Sequence, residues 1–107
     1  MMGVMIVRSW GARCSPPNAE RYAAYFRTEV LPHLNSLDGF HDAILMTRND
    51  GQCVDIRALT MWESLDKVQA FAGADITVAN VAPKARALLT TYDTTVTHFE
   101  VQPLATP

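Results

Sequence analysis

The periodic segments of this chain predict an α+β fold of order βαββαβ: a four-stranded antiparallel sheet with helices on one face. Three observations carry this. Tyr22, Phe26 and Val30 recur at i, i+4 and i+8, the spacing of one buried helix stripe. Asn49-Asp50-Gly51 separates two strand-like runs and is a strong hairpin signal, so those runs are antiparallel neighbours. The tract Ala58-Leu59-Thr60-Met61-Trp62-Glu63-Ser64-Leu65-Asp66-Lys67-Val68-Gln69-Ala70-Phe71-Ala72 turns an apolar strand into an amphipathic helix through a tryptophan and a serine. Strand, helix, hairpin, helix, strand is the ferredoxin-like arrangement.

Residues 5–13 form the first predicted strand, with Ile6, Arg8 and Trp10 on one face and Met5, Val7 and Ser9 on the other. Ser15-Pro16-Pro17-Asn18 starts a helix, since Ser or Asn accepts a backbone N–H there and Pro suits the first turn. Pro32 is expected to end or kink it, because it lacks the N–H that a helix interior needs. Asp38-Gly39 reads as a turn, residues 40–47 as the second strand and residues 53–62 as the third. Ser64 is expected to cap the next helix, with Asp66 in the first turn and Leu65, Val68, Phe71 and Ala72 as its apolar stripe. Gly73 closes that helix. Residues 74–82 read as a further turn or two of helix, and Pro83 opens a short last one through Ala85, Leu88 and Leu89. Residues 92–101 are the fourth predicted strand.

With 107 residues the chain is expected to be one domain, 1–107, ending in a loose tail at 102–107. A net charge of -2 without a basic run argues against nucleic acid. No apolar run is long enough to span a bilayer, so no membrane partner is expected. The apolar residues 4–7 are too short for a signal peptide and Arg8 interrupts them, which makes the cytoplasm the expected location. Cys14 and Cys53 lack any Cys-x-x-Cys spacing and read as free thiols.

The third strand has two apolar faces. Val54, Ile56, Ala58 and Trp62 point one way, and Leu59 and Met61 the other, yet helices cover only one side. An uncovered apolar face needs a partner. The expectation is a symmetric homodimer whose sheets pack face to face. The competing reading puts Leu59 and Met61 under the C-terminal tail.

The usual catalytic constellations are missing: there is no Gly-rich phosphate loop, dinucleotide fingerprint or Gly-x-Ser-x-Gly elbow. His33, His41 and His98 lack local metal-ligand spacing, so no metal, flavin or nicotinamide cofactor is expected.

The N-terminal Met-Ile-Val-Arg-Ser-Trp-Gly, the Thr60-Met61-Trp62-Glu63-Ser64 junction, the Ala70-Phe71-Ala72-Gly73 helix end and the closing Val96-Thr97-His98-Phe99-Glu100-Val101 strand resemble the antibiotic biosynthesis monooxygenase family. The resemblance implies a dimeric α+β barrel. It also implies one of that family's activities: cofactor-free oxygenation of polycyclic phenols, quinol oxygenation, or haem degradation. The haem-degrading branch carries an asparagine, a tryptophan and a histidine where this chain has Trp10, Phe71 and Val81, with Asn80 adjacent, so all three positions depart from it.

A cofactor-free oxygenase of a reduced polyphenol must bind a flat aromatic, assist proton loss and hold the resulting anion. The candidate catalytic residues are Trp10, to orient a substrate oxygen through its N–H, and His98, to accept or return a proton. Tyr22, Phe26, Trp62 and Phe71 are the candidate walls for a small aromatic ligand, with Tyr25 beside them. Arg8, Arg57 or His98 could hold the anion. Each has a plainer reading as well: Trp10, Trp62, Phe26 and Phe71 as core, His98 as a hydrogen-bonded structural histidine, and Arg57 as an ion-pair partner of Asp55 or Glu100. His33 and His41 read as surface or turn residues. A non-catalytic, ligand-binding or stress-related dimer of the same fold is the alternative function, and haem binding a further one.

Overall fold

The computed structural model describes residues 5–105, so Val4 of the apolar N-terminal run and the last two residues of the tail lie outside it. The elements run β1 (Ile6–Cys14), α1 (Pro16–Tyr25), a π-helical turn (Phe26–Val30), α2 (Leu31–Asn35), β2 (Phe40–Asn49), β3 (Val54–Trp62), α3 (Leu65–Ala72), α4 (Pro83–Arg86), β4 (Thr91–Tyr92) and β5 (Thr97–Glu100). The sheet order is β2-β3-β1-β4, with β5 also paired to β1, and every pairing is antiparallel. This is the predicted ferredoxin-like topology, with its fourth position divided between two short strands.

The division has a local cause. At Asp93 the side chain takes over from the ladder: Asp93 Oδ2 accepts the Gly11 N–H at 3.0 Å, while Asp93 O accepts the Trp10 indole N–H at 2.8 Å. Gly11 permits this crowding, since a Cβ there would lie 3.1 Å from Asp93 Oδ2 and 3.2 Å from the Arg57 guanidinium.

Pro32 does not end the first helix. The Leu31 N–H donates to the carbonyl of Phe26, five residues back, and the helix widens into a π turn before continuing to Asn35. In an α turn the Pro32 ring would crowd the carbonyl four residues back, and the wider turn relieves this. Ser15 caps α1 by accepting the Asn18 N–H, as expected. Ser64 holds the N-cap position of α3 but its side chain makes no capping bond, and Leu65 is exposed instead of lying on the buried stripe.

The predicted helix at 74–82 is also corrected. Gly73, at φ 88°, ends α3. The Asp75 carboxylate then accepts from the Thr77 N–H and hydroxyl, which sets a turn. The chain runs on extended, with Val78 bridged to Thr95, Ala79 N–H donating to Thr94 O, and Val96 N–H to Thr77 O. The β-branched run Ile76-Thr77-Val78 suits an extended pairing better than a helix.

Helices cover one sheet face. Ile6, Arg8, Ala12 and Cys14 of β1 and Val54, Ile56, Ala58, Thr60 and Trp62 of β3 are buried there, following the strand period of two. The core comes as two clusters. One holds Cys14, Ala19, Tyr22, Val54, Ile56 and Ala85; the other holds Ile6, Leu34, Trp62, Val68 and Ala72. Phe26 packs against both.

The other sheet face is open. Register places Phe99, Val7 and Met61 in one row and Thr97, Ser9, Leu59 and Ile44 in the next. Ile44, Met46 and Phe99 are 39%, 46% and 55% exposed there. The described tail leaves this face bare, for residues 101–105 are all exposed and Leu104 is 93% so.

Candidate functional site

A cleft of about 420 Å³ opens between the two core clusters, under the helix face of the sheet. Its walls include Trp10 from β1, Tyr22 and Tyr25 from α1, Phe26 from the π turn, Phe71 from α3, and the extended residues 79–82. The π turn contributes Phe26, Glu29 and Val30, so the helical irregularity forced by Pro32 also shapes the wall. Trp10, Tyr22, Tyr25 and Phe26 form a tilted aromatic run about Tyr22, with ring centroids 5.9–6.3 Å apart. The cleft is therefore mostly apolar, with a few polar groups, as a small-molecule site requires.

Arg8 is the charge inside it. The side chain is only 5% exposed, yet it lines the cleft. Nη1 donates to Ile76 O and contacts His98 Nε2 at 3.1 Å, and Nη2 donates to Val78 O. The guanidinium carbon also lies 5.9 Å from the centroid of Phe71. Among the described residues no carboxylate forms an ion pair with it. Burial lowers its pKa, although an arginine remains charged in any accessible range.

His98 is the acceptor behind Arg8. A guanidinium can only donate, so the imidazole at Nε2 is neutral, with its proton on Nδ1. Burial, and then the charge of Arg8, lower the His98 pKa below its ordinary 6.5. The folded chain thus takes up this proton later than the unfolded chain does. The contribution to stability is whole above about pH 6.5 and falls as pH drops through that value toward the lowered folded pKa. Replacing His98 with Gln, which keeps a neutral acceptor, is expected to flatten this part of the slope. Urea midpoints of both proteins between about pH 7 and pH 5 check this; parallel slopes would remove His98 as the titrating group.

The sequence candidates divide on inspection. Tyr22, Phe26 and Phe71 are on the wall. Trp10 is there too, but its N–H is committed to Asp93 O, so it meets a ligand with its ring rather than as a donor. His98 does not line the cleft and reaches it only through Arg8. Trp62 is a correction: it is fully buried, its N–H donates to Thr60 Oγ1 at 2.8 Å, and its ring packs against Phe40 and Phe71, so it backs the wall without lining the cleft. Arg57 is corrected as well. It pairs with Gly11 and Met46 on the open face, while Arg13 takes Asp55.

Four polar wall positions escaped sequence reasoning: Thr60, His33, Glu29 and Asn80. Thr60 was recoverable, since it shares strand parity with Ala58 and Trp62. His33 stands at the rim, its ring 6.1 Å from that of Phe71. Glu29 is held at the rim by Lys84 at 3.0 Å, which ties α4 to the π turn. The positions compared with the haem-degrading pattern, Trp10, Phe71 and Val81, all lie on the wall, and none carries an iron-ligating side chain.

Tyr22 has no hydrogen-bond partner among the described residues, and no fully buried polar side-chain atom is left unpartnered, so its hydroxyl opens onto the cleft. Burial pushes its pKa well above the ordinary value, which keeps it a neutral donor.

Solved structures share this architecture. A Bacillus cereus protein described as a candidate antibiotic biosynthesis monooxygenase superposes with a TM-score of 0.69 at 11% identity, over 98% of this chain and 100% of that one. A Streptomyces coelicolor monooxygenase, solved with the ligand nanaomycin D, gives 0.56 at 19% identity, over 99% of this chain and 91% of that one. A Mycobacterium tuberculosis protein gives 0.58 at 16%, over 95% and 97%. No protein-family model and no curated protein matches the chain. No described helix is long and apolar enough to cross a membrane. From β1 to the end of β5, the chain has the fold seen in structures of antibiotic biosynthesis monooxygenases.

Proposed function

We propose that the protein is a homodimeric, cofactor-independent monooxygenase acting on a small aromatic, polyphenol or quinol. One observation carries the reading: the cleft is walled by Trp10, Tyr22, Tyr25, Phe26 and Phe71, which suits a flat ring. The nanaomycin D held by the Streptomyces coelicolor protein of the same fold supports it.

The chemistry needs few protein groups. An electron-rich phenol that has lost a proton passes electrons to dioxygen itself. At a ring CH2 position, one oxygen atom becomes a carbonyl oxygen and the other leaves as water with the two hydrogens, so atoms and electrons balance. The protein's task is to hold the ring, accept the proton and stabilise the anion. His33 at the rim is the imidazole in reach of the cleft, and Tyr22 offers a neutral hydroxyl.

Oxygen uptake by metal-free protein, with a panel of hydroquinones and anthrone-like phenols against a heat-denatured control, tests this reading. Uptake above control is expected. Quenching of tryptophan fluorescence without any uptake would instead make the protein a ligand-binding dimer of the same fold. Trp10→Phe keeps an aromatic wall but releases Asp93 O, and is expected to lower kcat/KM about tenfold while the dimer persists. Unchanged turnover would remove Trp10 from the mechanism.

A further inference from the structure

We propose that the cleft selects anionic aromatics, with Arg8 as the anchor for a carboxylate or phenolate oxygen and His98 as the residue that positions Arg8. The inference deepens the oxygenase reading by naming the ligand's charge, and it concerns the same cleft.

The argument starts from the cost of burial. A cation removed from water is strongly disfavoured unless something compensates it. Arg8 is 5% exposed and has no carboxylate partner among the described residues. Its compensation consists of two carbonyl dipoles, a neutral imidazole and the face of Phe71. These orient the guanidinium but leave its full charge in place. Three hydrogen bonds occupy part of its five N–H donors, and the side chain borders the cleft.

The other charged residue of the described wall, Glu29, is an anion and unsuited to this role. Glu29 at the rim is answered by Lys84. An anion entering the cleft therefore meets one buried, unneutralised cation with donors to spare, beside an aromatic floor. Planar guanidinium and planar carboxylate match in a paired geometry, so an aromatic acid or a phenolate is the fitting class.

His98 fixes where that cation stands. Its Nε2 and the Ile76 carbonyl engage Nη1 while the Val78 carbonyl engages Nη2, which fixes the plane of the guanidinium. It does not touch the cleft, which makes it a positioning residue.

Equilibrium binding at neutral pH, read by tryptophan quenching or calorimetry, tests the proposal with 2-naphthoate against 2-naphthalenemethanol, a neutral ligand of similar size. The wild-type protein is expected to favour the acid by about 30-fold, the worth of one charge-assisted contact. 2-Naphthol titrated at rising pH separates the two anion sources, since its affinity climbs with ionisation if phenolate is accepted. Arg8→Gln should bring the acid and the alcohol to equal affinity. His98→Leu should weaken the acid about tenfold without changing the alcohol, and His98→Gln should restore it. Equal wild-type affinity for acid and alcohol, or no binding of the acid, overturns the proposal whether or not any variant folds. An acid preference that survives both His98→Leu and His98→Gln unchanged removes the positioning role. Binding needs no turnover, so the anion preference and the oxygenase reading fail separately.

Discussion

Trp62→Ala is expected to destabilise the protein by about 3–5 kcal/mol, a large share of what a domain this small has. Trp62 is completely buried. Its ring meets Phe40 edge-on at 5.4 Å between centroids and Phe71 at 5.9 Å. Its N–H is satisfied by Thr60 Oγ1. Truncation leaves a cavity at the junction of β3, β2 and α3, and strips the buried Thr60 hydroxyl of its donor. Trp62→Phe, which restores most of the volume, should recover more than half of the loss. Urea unfolding followed by circular dichroism measures both. A Trp62→Ala midpoint close to wild type would show that this side chain is not the keystone of the second core cluster.

Trp10 makes the instructive contrast. It lies on the same sheet face, but it is only half-buried and borders the cleft. Its replacement should be felt in ligand binding more than in folding. The two tryptophans also report separately: ligand quenching should vanish in Trp10→Phe and persist in Trp62→Phe.

That difference was only partly legible in the sequence. Strand parity is strict, so Ile6, Arg8 and Trp10, and likewise Val54, Ile56, Ala58 and Trp62, could be assigned to one face from alternation alone. Parity does not say where along the strand the helices stand close. Trp62 sits where α3 closes down on the sheet, and Trp10 where the two core clusters part, which is a tertiary fact. Residues 74–82 misled for another reason. Their alanines favour a helix, but pairing with residues 94–96 decides their course, and the part of the cleft wall at 79–82 follows from it. Arg8 carries a usable signal. A charged residue in phase with Ile6 and Trp10 must be buried by the same alternation that buries them.

The largest effect expected on assembly is that of Ile44→Glu, which should convert a dimer to monomers. Parity again supplies the premise: Ile44, Met46, Leu59, Met61, Val7 and Phe99 are brought onto the uncovered face by register, and the described tail does not shield them. Two copies packed through this face would desolvate each of these side chains. A glutamate at position 44 then has no counter-charge from its row neighbours Leu59, Ser9 and Thr97; the cation that register places in the next row is Arg57, a diagonal neighbour, and the seam would desolvate both charges. A cost of about 3 kcal/mol or more corresponds to a rise of over 100-fold in the dimer dissociation constant. Sedimentation velocity at micromolar concentration reads this directly, with Ile44→Thr as a polar control of smaller effect. A wild-type protein that sediments as a monomer, or an Ile44→Glu protein that remains dimeric, would place the partner surface elsewhere. The cleft lies on the helix side of the sheet, opposite this face. Ligand affinity should therefore survive in the monomer as long as it stays folded, which separates the sheet's task in assembly from the helix face's task in binding.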